Sequence, residues 1–259
     1  MGRVIAFSEF ESYLNSFFRE EGDLVRATIL DTNIMISLTY EIKRDFEMVS
    51  DFIDILLEKG FNLFTTVNTK SEFLDFHRRL GLTEHLRDML DHSSKWHIST
   101  AAKAQIEVQS GQLKRNELQG SDPVFTDRQL KKIKSAFSAG THSGHIGWLK
   151  ICMGLLSGRL DEAEAALEKY GIHYITQHEP HQKGFFHKNI DWADAKRIAA
   201  TTGIGLSDAM ILNAFQCSQF PFMVSSDFDI GYAVLASKEM KDVVVPDSVA
   251  KKYRSYHFE

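Results

Sequence analysis

The chain has 259 residues, 43% hydrophobic and 25% charged, a composition that suits a globular protein of one large domain or of one domain with a sizeable insertion. Its formal net charge of −5 excludes a uniformly basic nucleic-acid binder. That charge still allows an acidic metal site with local basic patches, because bound cations reverse the local field.

Four prolines and no apolar run of 18 residues argue against long linkers and a transmembrane helix. Cys152 and Cys217 lack CxxC spacing, so two free thiols in a reducing, cytoplasmic setting are expected. The short apolar start, Val4-Ile5, does not read as a signal peptide.

In chain order, Ser8 and Glu11 have capping-box spacing ahead of a helix with Phe10, Tyr13, Leu14, Phe17 and Phe18 on its apolar face. Thr28, Ile29 and Leu30 form an apolar run that stops on Asp31, as a buried parallel strand does. Phe46, Val49, Phe52, Ile53, Leu56 and Leu57 recur at helical spacing, and Gly60 is placed to end that helix. Phe61 to Val67 read as a second strand. A helix beginning near Thr69 then carries Glu72 in its first turn.

Residues 82–160 break this β-α-β-α rhythm and read as a helical insertion. Helix-like segments lie at Leu82–Leu90, Thr100–Gln109, Asp127–Phe137 and Ile146–Leu156, with a loop signal at Gln119-Gly120-Ser121-Asp122-Pro123. The rhythm resumes with a helix Leu160–Tyr170 stopped by Gly171, and a short strand Ile172–Thr176. Asp191 caps a helix running to Thr201, and a helix Ser207–Phe215 has Asp208 in its first turn. A strand Phe222–Ser226 ends on Asp227, followed by a helix Tyr232–Ala236 and a last strand Val243–Val245. The expected fold class is α/β, with a central parallel sheet of about five strands between helical layers.

Asp31, Glu72, Asp208 and Asp227 thus sit at strand ends or in the first turns of following helices. Doubly wound topology gathers those positions at one sheet edge. Several carboxylates held close repel one another, and divalent cations relieve that repulsion. All-oxygen ligation favours Mg²⁺ or Mn²⁺.

The segments Leu30-Asp31-Thr32-Asn33, Thr65-Thr66-Val67-Asn68-Thr69-Lys70-Ser71-Glu72-Phe73-Leu74, Gly205-Leu206-Ser207-Asp208-Ala209 and Val224-Ser225-Ser226-Asp227-Phe228-Asp229 resemble, in order and context, the PIN-domain family of metal-dependent ribonucleases. The resemblance covers roughly residues 1–80 and 160–250 and leaves out the middle. It implies a PIN-like three-layer fold and cleavage of single-stranded RNA by a metal-activated water, giving 5′-phosphate and 3′-hydroxyl ends. It also implies that Asp31, Glu72, Asp208 and Asp227 are the metal-site acids. Asp229 would replace or supplement Asp227, and Asn33 and Ser226 would position water or phosphate.

Two rival readings belong to other classes. One is a PIN-like module without activity that binds RNA or protein. The other is a haloacid-dehalogenase-type phosphatase, which usually has an Asp two residues after its nucleophile, where this chain has Asn33. Each acid also has a plain structural reading as a turn residue or helix cap. Glu72 in particular completes a Thr69-x-x-Glu72 capping box.

His173, His178, His181 and His187 cluster without a nearby Cys and read as exposed loop residues rather than zinc ligands. Lys114, Arg115, Arg128, Lys131, Lys132 and Lys134 form either a solvated helix face or nucleic-acid contacts. Trp148 and Phe137 read as packing residues. Single-stranded DNA as the substrate and a homodimeric state are both compatible with the sequence, and no membrane partner is expected.

Overall fold

The computed structural model describes residues 2–21, 25–92, 98–118, 122–139, 142–237 and 239–253. The Gln119-Gly120-Ser121 part of the loop signal and the side chain of Phe18 lie outside what is described. The chain divides into two compact units: residues 1–73 with 166–259, and residues 74–165.

The elements run β1 (Val4–Ala6), a short 3₁₀ turn Phe7–Glu9, α1 (Phe10–Glu21), β2 (Ala27–Leu30), α2 (Thr32–Thr39), α3 (Phe46–Glu58), β3 (Asn62–Thr65) and α4 (Val67–Asp91). Next come α5 (Thr100–Leu118), α6 (Asp127–Ala136), a two-residue hairpin β4 (Ser138–Ala139) and β5 (His142–Ser143), and α7 (Gly144–Lys169). The chain closes with β6 (Ile172–Tyr174), a 3₁₀ turn Pro180–Phe185, α8 (Trp192–Thr202), α9 (Leu206–Cys217), β7 (Phe222–Val224), α10 (Phe228–Ala236), β8 (Asp242–Val245) and α11 (Asp247–Tyr253).

The first unit is a three-layer α/β fold. Its six strands are ordered β1-β8-β7-β2-β3-β6, and all pairs are parallel. Every residue of β2, β7 and β8 is buried, as central parallel strands covered on both faces require. One face packs Ile29, Met223 and Val243 against Ile211, Leu212 and Phe215 of α9 and Ile230 and Val234 of α10. On the other, Phe222 meets Phe10 and Tyr13 of α1 and Phe61, while Phe10 meets Phe52 of α3. Four of the chain's 19 phenylalanines, Phe10, Phe52, Phe61 and Phe222, therefore fill that interface with tilted and edge-on rings.

The sheet has six strands rather than about five. The extra strand, β1, is three residues long and pairs with β8, more than two hundred positions away. Arg3 fixes its start: the backbone N–H donates to Asp242 Oδ1 at 2.8 Å, and Nη2 reaches Asp242 Oδ2 at 2.7 Å. The expected Ser8–Glu11 capping box does not form. Ser8 Oγ instead donates to Asp247 on α11, while Glu9 Oε2 accepts the Ala6 N–H at 3.4 Å. Gly60 and Gly171 do end their helices, with φ of 77° and 67°, the left-handed conformation glycine adopts cheaply.

Among its described residues, the regular elements of the second unit are helices apart from the antiparallel β4–β5 pair. Leu82, Leu86, Ile106, Leu113, Phe125, Leu130 and Ile133 form its core with Phe137 and Trp148. Those last two rings pack edge to face at 5.6 Å, the packing role expected of them. Where separate short helices were expected, α4 and α7 run unbroken for 25 and 26 residues. Among the described residues, no single helix is long and apolar enough to cross a membrane.

Candidate acidic site at the sheet edge

Strands β2 and β7 are neighbours, but their chain exits diverge. β2 leads through α2 and α3 to β3 on one side, and β7 leads through α10 to β8 on the other. Such a switch point opens a crevice beyond the strand C-termini. Asp31 and Asp227 lie there, immediately after β2 and three residues after the end of β7.

Asp31 is the N-cap of α2 and is 3% exposed. Its Oδ1 accepts the Thr32 N–H at 2.8 Å, and its Oδ2 accepts the Ser225 hydroxyl at 2.8 Å. Ser225 Oγ in turn accepts the Asp227 N–H at 3.0 Å. Asp227 caps α10 by accepting the Asp229 N–H at 2.8 Å. The capping reading of Asp227 is therefore correct as far as it goes, and Asp31, read plainly as a turn residue, is a helix cap as well; each cap bond occupies only one carboxylate oxygen.

Glu72 lies in the second turn of α4, not the first, because the helix begins at Val67. Thr66 and Thr69 make the reciprocal capping bonds. The Thr66 N–H reaches Thr69 Oγ1 at 2.8 Å, and the Thr69 N–H reaches Thr66 Oγ1 at 3.3 Å. Glu72 is thereby released from helix capping. Its Oε2 accepts the Thr32 hydroxyl at 2.8 Å, and its Oε1 accepts the Ser207 hydroxyl. Ser207 adjoins Asp208 in the first turn of α9. Gly205 precedes them, and a Cβ there would lie 3.2 Å from Asp208 Oδ2.

Burial pushes the Asp31 carboxyl up to about 7, with the Asp227 and Glu72 charges adding to the rise and the Ser225 and Thr32 bonds opposing it. Burial likewise raises Asp208 to about 6, reinforced by Asp227, Glu72 and Asp229. The four acids, drawn from positions 31 to 227, thus feel one another across a single edge. The nearby charges identified as acting on Asp31 and Asp208 are all negative, which leaves the group short of positive charge. Among the described residues, no three His, Cys, Asp or Glu side chains already stand close enough together to hold a metal ion. The acids form a coupled set rather than a closed cage.

Asn33 is partly buried in the first turn of α2, and Ser226 is partly buried beside Ser225. Asp229 is exposed and adds its charge to the site. The sequence reading missed Thr32, Ser207 and Ser225. These three hydroxyls aim or link the acids, and each lies next to or within two positions of a recognised acid.

The four clustered histidines are exposed, although His173 sits on β6 rather than in a loop. In the second unit, Lys114 and Arg115 lie exposed on α5. Arg128, Lys131 and Lys132 are exposed on α6, and Lys134 is half-buried.

Comparison of the chain with protein-family models, with curated proteins and with solved structures finds no match.

Proposed function

We propose that the chain is a divalent-metal-dependent endoribonuclease of PIN-like type that cleaves single-stranded RNA in a cytoplasmic setting, where its thiols Cys152 and Cys217 stay reduced. One observation carries this reading. Two hydrogen-bond chains, Asp31–Ser225–Asp227 and Thr32–Glu72–Ser207, meet at the adjacent residues Asp31 and Thr32. Together they tie all four acid-bearing segments to the β2/β7 switch point.

An all-oxygen donor set with uncompensated negative charge suits Mg²⁺ or Mn²⁺. Bound there, such a cation would activate a water for attack on phosphorus and stabilise the leaving oxygen. Asp31, Glu72, Asp208 and Asp227 would hold it, with Asp229 alongside. Ser225 keeps one Asp31 oxygen oriented, and the Thr32 and Ser207 hydroxyls fix the Glu72 carboxylate. A water attacking phosphorus there would give up a proton as the bond to the 3′-oxygen broke. The products are a 5′-phosphate and a 3′-hydroxyl that takes up a proton.

The test is cleavage of labelled single-stranded RNA and DNA in EDTA, Mg²⁺ or Mn²⁺ by wild type, Asp31→Asn and Asp208→Asn. The expected result is metal-dependent cleavage of RNA that both variants lose. Equal cleavage by all three proteins would overturn the assignment of these acids. RNA binding without cleavage in any metal would support the inactive-module reading instead.

A further inference from the structure

Charge is divided unevenly between the two units. The first carries 17 Lys and Arg against 24 Asp and Glu, whereas residues 74–165 carry 13 against 11. Within the second unit, residues 128–160 contain six Lys and Arg and no acid at all. A 33-residue acid-free run is unusual in a chain with 35 acids in 259 residues.

The structure gives this run a surface. Helix α6 buries Leu130 and Ile133 in the core of its own unit. The helical repeat then turns Arg128, Lys131, Lys132 and Ser135 to the opposite side, where all four are exposed. Lys134 lies on the flank, near enough to influence Cys152. Among the described residues, Arg128, Lys131, Lys132 and Lys134 make no ion pair. By contrast Arg78, Arg79, Arg87 and Arg159 of the same unit are all paired with acids. The one acid of α6, Asp127, is engaged by Arg78.

We infer that the outward face of α6 is a docking surface for the phosphate backbone of a single-stranded nucleic acid. Unpaired cations on a rigid helix release counterions when they meet phosphates, and that release drives polyanion binding. A membrane surface fits less well. An amphipathic membrane helix presents an apolar side to the bilayer, and here that side is consumed by the core. A protein partner would be expected to find an aromatic or aliphatic anchor at the centre of the patch, and this face holds Arg, Lys and Ser, with Asp127 at its edge paired to Arg78. The choice of a single strand rests on the proposed nuclease function, but the polyanion site itself does not.

The test is fluorescence anisotropy with a labelled 20-nucleotide single-stranded RNA, in EDTA so that no cleavage occurs, across a series of salt concentrations. The proteins are the full chain, the triple variant Arg128→Gln, Lys131→Gln, Lys132→Gln, and a charge-matched control, Lys183→Gln, Lys196→Gln, Lys251→Gln, in the first unit. Circular dichroism and thermal melting check folding, which exposed substitutions of this kind rarely disturb.

The α6 variant is expected to lower the log–log salt slope by about 2 and to weaken binding by about ten- to a hundredfold at 0.1 M salt. The control should bind like wild type. Equal binding by the α6 variant and wild type, or an equal loss in the control, would overturn the inference. So would tight binding to phosphatidylserine vesicles that only the α6 variant loses, with RNA binding unchanged. Cleavage lost in Asp31→Asn but RNA binding unaffected by the α6 substitutions would sink this inference while leaving the nuclease reading standing. RNA binding that depends on α6, with no cleavage in any metal, would do the reverse.

Discussion

Ser225 Oγ donates to Asp31 Oδ2 at 2.8 Å while accepting the Asp227 N–H at 3.0 Å. One buried hydroxyl thus stabilises the ionised form of one acid and fixes the backbone that carries another. Charge in the crevice depends on this bond, because it opposes the burial that lifts Asp31 to about 7.

Ser225→Ala is expected to raise the Asp31 carboxyl above its present value and to leave the Asp227 N–H without an acceptor. The acid limb of metal-dependent cleavage should move to higher pH, and stability should fall by about 1–3 kcal/mol. A pH–rate profile in Mn²⁺ measures the first effect and urea unfolding the second. An unmoved acid limb would show that Asp31 ionisation does not govern the reaction.

Asp31 also makes the metal-free protein pH-sensitive. Its carboxyl titrates at about 7 when folded, against 3.8 for an unperturbed group, so the folded state binds more protons between those values. The stability held by protonated Asp31 is complete below about pH 4 and is lost as pH rises through 7, up to about 4 kcal/mol from this residue alone. In EDTA, Asp31→Asn should therefore be more stable than wild type at pH 7.5, and the gap should close near pH 4. Saturating Mn²⁺ at pH 7.5 should stabilise wild type much more than the variant. Urea titrations at the two pH values decide this, and a gap independent of pH would refute it.

How much of this was legible in the sequence depended on the range of the determining contact. Asp31, Asp208 and Asp227 stood out because an apolar run or helix start breaks abruptly on an acid. β1 did not, because three residues show no alternation and their partner is at the far end of the chain. α2 was missed because Ile34, Met35, Ile36, Ser37 and Leu38 are all buried. A helix buried on every side shows no amphipathic period. The α4 start was misplaced by two residues because threonines at 66 and 69 offer overlapping capping patterns, and only the structure shows that Thr66 and Thr69 pair with each other. Ser225 was passed over for Ser226, since strand pairing alone decides which serine faces Asp31.

That shift in the capping box separates two roles of α4. Glu72→Gln keeps the side chain's shape but removes a charge from Asp31 and Asp208, so both carboxyls should titrate lower. Metal-dependent cleavage should fall by at least about a hundredfold, as for loss of a transition-state electrostatic group, with stability unchanged or slightly higher. Thr69→Ala should do the opposite, costing about 1 kcal/mol of stability through the lost cap and leaving kcat near wild type. Thermal melts and steady-state kinetics on both variants test this. Equal damage to stability in both, with activity tracking it, would return Glu72 to a purely structural role.

Gly205 offers the most local perturbation of the site. Its φ of −60° and ψ of 153° suit any residue, so alanine there brings no backbone strain. Alanine restricts the unfolded chain, which stabilises by about 0.4–1 kcal/mol, but Gly205 is the N-cap of α9, where alanine is less favourable than glycine by a similar amount. The added Cβ meets only Asp208 Oδ2, at 3.2 Å, and moves that carboxylate by a few tenths of an ångström. Gly205→Ala is therefore expected to leave Tm near wild type while lowering kcat/KM in Mn²⁺ by about three- to tenfold, because small misplacements of a positioned group are costly to rate. A folded variant with unchanged cleavage would place Asp208 outside the cation-holding set, since the added Cβ meets only that side chain.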